Sequence, residues 1–277
     1  MTTTIELPPL ERLQRDIRMA AITLSHKEAR FLVDAYYQIQ DYRKASANQV
    51  RSMDTSPEPE PHAVLDWLYH TMDTLEGDIK KALDVYSDAS MPGRWAKSIV
   101  GIGPVIAAGL LAHIDIERAR HVGHIYGFAG LSVGQVWQRG QKRPWNAQLK
   151  TLCWKIGQSF NKVQNNPRDF YGHYLVQRKL YEVGRNERGE TQEEAARILA
   201  AKKIGRDTEA YKAYSQGRLP PAHLEARAER WATKLFLSHF HAVLYWDRYE
   251  TLPDLPYAIA RLGHDGFIEI PHWPFEG

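Results

Sequence analysis

The chain has 277 residues, of which 43% are hydrophobic, and it carries a formal net charge of +3. That length permits one large domain or two modest ones with a real hydrophobic core. The single cysteine, Cys153, excludes an intrachain disulfide and a zinc site built on several cysteines, and it fits a reducing, cytoplasmic compartment. No apolar run reaches the roughly 18 residues of a membrane span, and the first residues lack the features of a signal peptide. We therefore expect a cytoplasmic protein without a membrane partner.

Residues 1–90 predict two long amphipathic helices joined by a proline-rich linker at 54–61. Ser25 and Glu28 have the spacing of a capping box, so the first helix should begin there and run to about Met53. The second should run from about His62 to Ser87. The apolar positions assigned to the first helix are Phe31, Leu32, Ala35, Tyr36, Ile39 and Tyr42. The two helices are predicted to form either an antiparallel pair or a coiled coil through which copies of the chain form a homo-oligomer.

Residues 91–166 form a second segment, which begins with a helix-turn-helix pattern. A short helix over Trp95–Val100 should end at two glycines that permit positive φ, and a second helix should then run to Ile114. A proline at the first helical position loses no hydrogen bond. Backbone N–H groups that point outward at the start of a helix can hold a phosphate. The five candidate positions are Gly101, Ile102, Gly103, Pro104 and Val105. The same turn could instead be a plain connection within a core.

A basic block follows the hairpin. From Arg118 to Arg168 the sequence has no Asp or Glu but nine Lys or Arg residues. Such a block favours nucleic-acid binding, since each neutralised phosphate releases counterions whatever the base sequence. The cations expected to grip phosphates are Arg139, Lys142, Arg143, Lys150 and Lys155. Trp137 and Trp145 flank the densest part, where they would either stack on or wedge between bases or act as packing anchors.

These features together resemble the C-terminal helix-hairpin-helix domain of the DEDD-type insertion-sequence transposases, which recombine DNA with a structured guide RNA. The resemblance covers about 70 residues, a quarter of the chain. The matching features are the Gly101–Pro104 hairpin, the Phe128–Leu131 block, the glycine and basic turn at Gly140–Arg143, and the helix that follows Asn146. It implies that the hairpin and basic turn bind DNA or structured RNA. We also expect that a monovalent cation could bind the hairpin carbonyls.

Two departures from that family argue against carrying over its catalysis. The family's N-terminal half is a nuclease-like α/β fold with four metal-binding acids, whereas residues 1–90 here show no alternating strand pattern. The family also places a nucleophilic serine between the hairpin and the basic helix, and the nearby Ser132 comes too early. We therefore expect a transposase-like, non-catalytic, nucleoid-associated DNA-binding protein. The alternatives are an active transposase or recombinase relative, and a structural or assembly protein of a mobile element or virus.

The remaining chain predicts a charged helical insertion at 167–219 and a C-terminal segment at 220–277. The insertion should hold helices over Tyr171–Val183 and Thr191–Ile204, separated by a flexible stretch at 184–189. A long helix from His223 to about Tyr249 should precede a tail with irregular or short β structure at 266–270. His239 and His241 would point to different sides of that helix, so we expect no metal site from them. The predicted fold class is mainly α.

Overall fold

A computed structural model describes residues 11–54, 63–255 and 266–275, and within them the protein is mainly α, as predicted. These residues contain eleven α-helices, one 3-10 turn at Ala20–Thr23 and no strand. The helices are α1 (Arg15–Met19), α2 (His26–Asp54), α3 (Ala63–Asp88), α4 (Met91–Ser98), α5 (Pro104–His113), α6 (Val122–Phe128), α7 (Ala147–Val163), α8 (Tyr171–Glu187), α9 (Gln192–Ala201), α10 (Glu209–Ser215) and α11 (Pro221–Tyr249). The predicted lead-in at 1–10 and residues 55–61 of the predicted linker lie outside the described residues, whereas Asp54, also assigned to the linker, is the last residue of α2.

The helices group into two compact units. The first contains the described residues up to Lys97 together with Gly103–Asp115, and the second contains Ser98–Ile102 and the described residues from Ile116 onward. The four segments expected from the sequence stay a prediction. No helix within the described ranges is long and apolar enough to cross a membrane.

The first unit is built on the predicted antiparallel pair, α2 and α3. The capping box at the start of α2 is confirmed, because the Ser25 N–H donates to Glu28 Oε2 at 2.8 Å and the Glu28 N–H donates to Ser25 Oγ at 3.3 Å. Ala29 shares a buried cluster with Leu83 of α3, whereas Arg43, later in α2, pairs with Glu76, earlier in α3. The two helices therefore run in opposite directions.

The face of α2 that is buried differs from the predicted stripe. Phe31 and Tyr42 are 72% and 70% exposed, while Ala29, Val33 and Tyr36 are buried. Phe31 and Tyr42, two of the predicted apolar positions, therefore do not belong to the buried face of α2. Small Ala29 lies at the contact because it allows the helix axes to approach closely, which a count of large apolar residues does not detect.

Helix α5 completes the first unit. Val105, Ala108 and Ala112 join the cluster formed by α2 and α3, and six further residues of this ten-residue helix are apolar or glycine. A helix that is apolar on all sides is typical of a central, buried position. The long pair therefore has a third helix of its own chain packed against it, and association of two chains through the pair stays a prediction.

The second unit has an aromatic core where α7, α8 and α11 meet. Phe160, Tyr171, Phe236 and Phe240 are all fully buried, and the ring centroids of Phe160 and Tyr171 lie 4.9 Å apart. Helix α8 therefore supplies core residues, although the segment that contains it was predicted to be an insertion.

One local prediction in the second unit was wrong. Gly184 was expected to break the chain into a flexible stretch, but α8 continues through it to Glu187. Arg185 and Arg188 both bind Glu190 at 2.8 Å, so the end of α8 is held by ion pairs just beyond the glycine. Residues 266–270, expected to have irregular or short β structure, are irregular and contain no strand.

Candidate nucleic-acid interface

The predicted turn between two helices is present, with one glycine in a left-handed conformation. Gly101 has φ +94°, whereas Gly103 has φ −101° and is the N-cap of α5. Pro104 occupies the first turn of α5, as predicted. The preceding helix, α4, begins earlier than expected, at Met91, because Pro92 is tolerated in a first turn.

One side of this turn packs against α7. The Gly101 carbonyl accepts a hydrogen bond from Ser159 Oγ at 2.5 Å, and a side chain at Gly101 would meet Val163 at 3.2 Å. The Ile102 side chain is buried, and its N–H donates to the carbonyl of Ile99 at 2.9 Å. The Ile102 N–H is therefore not available to a ligand, although Ile102 was one of the five predicted positions.

The start of α5 keeps the properties that were expected of an anion site. The Gly103 carbonyl accepts from the Ala107 N–H, and no side chain caps the helix. The Val105 N–H belongs to the first helical turn, where backbone donors have no partner inside the helix. Nothing lies within 4 Å of a Cβ built on Gly103, so the space beside these donors is open.

The carbonyls around the turn are already in use. Those of Ile99, Gly101 and Gly103 each accept an intrachain hydrogen bond. A monovalent cation at the hairpin would have to share these oxygens with their donors.

The five hairpin positions belong to different compact units. Gly101 and Ile102 fall in the second unit, which also contains the basic block, and Gly103–Val105 fall in the first. Of the five positions, only Gly101 and Ile102 are therefore in the same unit as the cations predicted to bind phosphates.

The stretch 129–146, which we call the basic loop, has neither helix nor strand. Arg139, Lys142 and Arg143 are all exposed on it, as expected of residues that contact phosphates. Within the described parts of the chain, none of the three forms an ion pair with a carboxylate. The end of the loop is fixed by Asn146, whose side chain caps α7 by accepting from the Leu149 N–H at 2.9 Å.

Each tryptophan of the basic loop lies under a cation. The Arg143 guanidinium is 5.1 Å from the Trp137 ring centroid, and Lys150 Nζ is 4.0 Å from that of Trp145. Trp137 is 36% exposed and donates from its ring N–H to the Gln141 carbonyl at 2.7 Å. Both tryptophans therefore form cation–π contacts, and their roles as stacking residues or packing anchors stay predictions.

Lys150 and Lys155 lie on different sides of α7. Five residues correspond to about 140° around an α-helix, so the two ammonium groups do not share one face. Both side chains are half-buried. Lys150 adjoins the basic loop through Trp145, and it is the helix cation that the structure brings together with Arg143.

Two cations near Lys150 were missed at the sequence level. Arg230 and Lys234 lie one turn apart on α11, which packs against α7. Burial lowers the pKa of Lys150, and the nearby positive charges of Arg230 and Arg143 lower it further. Burial and Arg230 together lower the pKa of Lys234. Their spacing on one predicted helix was visible in the sequence, but the packing of α11 on α7 was not.

His239 and His241 form hydrogen bonds within the chain, and Cys153 is buried. His239 Nδ1 lies 2.7 Å from the Tyr171 hydroxyl, and its Nε2 lies 3.0 Å from the Ile268 carbonyl. His241 Nε2 lies 2.7 Å from the Ala119 carbonyl, so the two rings point to different partners, as expected. Burial raises the pKa of Cys153 to about 12. The described residues contain no group of three or more His, Cys, Asp or Glu that could hold a metal ion.

Comparison of the chain with protein-family models, with curated proteins and with solved structures gives no match.

Proposed function

We propose that this protein binds the sugar-phosphate backbone of nucleic acid without reading its base sequence. The observation that carries the proposal is the state of Arg139, Lys142 and Arg143. All three are exposed on one loop, and none is paired with a carboxylate of the described chain. Cations in that state are available to neutralise phosphates, and such contacts give affinity that falls with salt.

The start of α5 supplies a second phosphate contact in this proposal, through the Val105 N–H beside the open space at Gly103. Lys150 and Lys155 add charge from α7. The role resembles that of a transposase DNA-binding domain, and we assign it no catalytic step. DNA and structured RNA share the phosphodiester chemistry, so both are partners to be tested.

The first test is the salt dependence of binding to a fluorescent 30-base-pair duplex. Replacing Arg139, Lys142 and Arg143 by Ala should weaken binding on any sequence. It should also reduce the slope of log K against log salt by about 0.9 for each phosphate that is no longer neutralised. The matched control replaces Lys202, Lys203 and Arg206 by Ala. These residues are also exposed, and their replacement removes the same charge. Equal slopes for the two triple variants would overturn the assignment to the basic loop.

The second test concerns the start of α5. A side chain at Gly103 meets nothing within 4 Å, so G103E and G103Q should both fold. The carboxylate of G103E should weaken binding relative to G103Q, because it repels a phosphate at the amides of the first turn. Identical affinities of the two variants would remove the hairpin from the interface and leave the basic loop as the element that holds the phosphates.

A further inference from the structure

Four cations converge where the basic loop meets α7 and α11. Arg143 comes from the loop, Lys150 from the first turn of α7, and Arg230 and Lys234 from one side of α11. Lys150 lies against Gly130 at the start of the basic loop, and Lys234 lies over Tyr126 of α6, the helix that ends just before Gly130. Arg230 precedes Lys234 by one turn of α11, and the positive charges of Arg230 and Arg143 lower the pKa of Lys150. We call these four residues the cation cluster.

The two lysines of the cluster are held in place by aromatic rings. Lys150 Nζ lies 4.0 Å from the Trp145 centroid, and a Cβ on Gly130 would come within 2.8 Å of Trp145 and 3.1 Å of Lys150. Lys234 Nζ lies 4.6 Å from the Tyr126 centroid, and the Tyr126 hydroxyl donates to the Lys234 carbonyl at 2.8 Å. Contacts of this kind restrict long side chains, so less entropy is lost when they bind an anion.

The cluster has no internal counter-charge, unlike the neighbouring turn of α11. Arg227, three residues before Arg230, binds Glu182 at 3.0 Å and Glu194 at 2.5 Å. Within the described residues, no carboxylate forms an ion pair with any member of the cation cluster. Lys150 and Lys234 are half-buried, whereas Arg143 and Arg230 are exposed. Half-buried positive charges are costly unless an anion binds beside them.

We propose that the cation cluster binds a phosphate dianion, such as the terminal phosphate of a nucleic-acid strand. A phosphomonoester carries close to two negative charges at neutral pH and an internal phosphodiester carries one, so several converging cations favour the strand end. This inference rests on the proposed function and deepens it, because it names the part of the nucleic acid that the cluster takes. Free phosphate shares the same chemistry and is the simpler ligand.

The test compares oligonucleotides of one sequence that carry a 5′-phosphate, a 3′-phosphate or hydroxyl groups at both ends, titrated by fluorescence anisotropy at constant ionic strength. We expect one phosphorylated form to bind about tenfold more tightly than the hydroxyl form. R230M and K234M should abolish that preference. K162M, at an exposed lysine near the far end of α7, should retain it.

A second measurement uses inorganic phosphate as the probe. Phosphate should raise the unfolding midpoint of the unaltered protein relative to chloride at equal ionic strength, and it should not do so in R230M or K234M. Equal binding of all three oligonucleotides, with nucleic-acid binding intact, would overturn the dianion site but leave the proposed function standing. Loss of all nucleic-acid binding with a retained phosphate effect would refute the proposed function and support the site. Loss of all nucleic-acid binding without any phosphate effect on the unfolding midpoint would overturn both the proposed function and the dianion site.

Discussion

We expect mild acid to lower the free energy of unfolding of the second unit, because His239 is buried there. A backbone carbonyl can only accept, so the ring Nε2 must donate to Ile268, and Nδ1 then accepts from the Tyr171 hydroxyl. This pattern describes a neutral imidazole. Burial lowers its pKa from 6.5 to about 4, and the side chain is only 5% exposed. Between those two pH values the unfolded chain binds a proton that the folded chain does not bind, so stability is lost as the pH falls from about 6.5 to about 4.

The size of the effect follows from the same two pKa values. Through His239 the free energy of unfolding should be lower at pH 5 than at pH 7 by roughly 2 kcal/mol, and below pH 4 the loss approaches about 3 kcal/mol. Urea unfolding of the unaltered protein and of H239Q at pH 7 and pH 5 measures it, because the variant lacks the titrating group. H173Q, at an exposed histidine of α8, is the matched control. If the unaltered protein and H239Q lose the same free energy between pH 7 and pH 5, the assignment to His239 is refuted.

Three further predictions concern stability and are checked by thermal or urea unfolding. N146A should cost about 1 kcal/mol because it removes the cap of α7, and N146D should restore most of the loss; an unchanged midpoint for N146A would contradict the capping role. G172A should lower the free energy of unfolding by about 1–3 kcal/mol, because the new Cβ would lie 2.8 Å from backbone atoms of Phe160 and Gln164. G77A, within α3 with nothing inside 4 Å, should instead stabilise the protein by about 1 kcal/mol, and a destabilised G77A would show that this space is not open.

The sequence predicted the helices well where local chemistry decides them. Ser25 and Glu28 begin α2 through their own reciprocal bonds, and Pro104 occupies the first turn of α5 because its fixed φ suits that position. Those signals need no knowledge of the rest of the fold. Gly184 gave a misleading signal, since one glycine inside a helix costs only about 1 kcal/mol and α8 continues through it to Glu187.

The candidate site was only partly predictable, because part of it depends on contacts between residues that are far apart in the sequence. Arg139, Lys142 and Arg143 are adjacent in sequence and are exposed together, so a local charge count found them. Arg230 and Lys234 lie about 80 residues after Lys150, and their charges meet only because α11 packs on α7. The burial of Ile102 likewise depends on distant contacts, which the spacing of two glycines does not reveal.

The path of the chain between the two units has a consequence for its synthesis. The polypeptide leaves the first unit after Lys97, contributes Ser98–Ile102 to the second, returns for Gly103–Asp115 and then departs again. A ribosome must therefore release residues well beyond the long helix pair before α5 can cover the apolar surface around Ala29 and Leu83. A fragment truncated at Lys97 would leave that surface bare, and we expect it to aggregate or recruit chaperones, whereas a fragment extended to Asp115 contains every helix of the first unit.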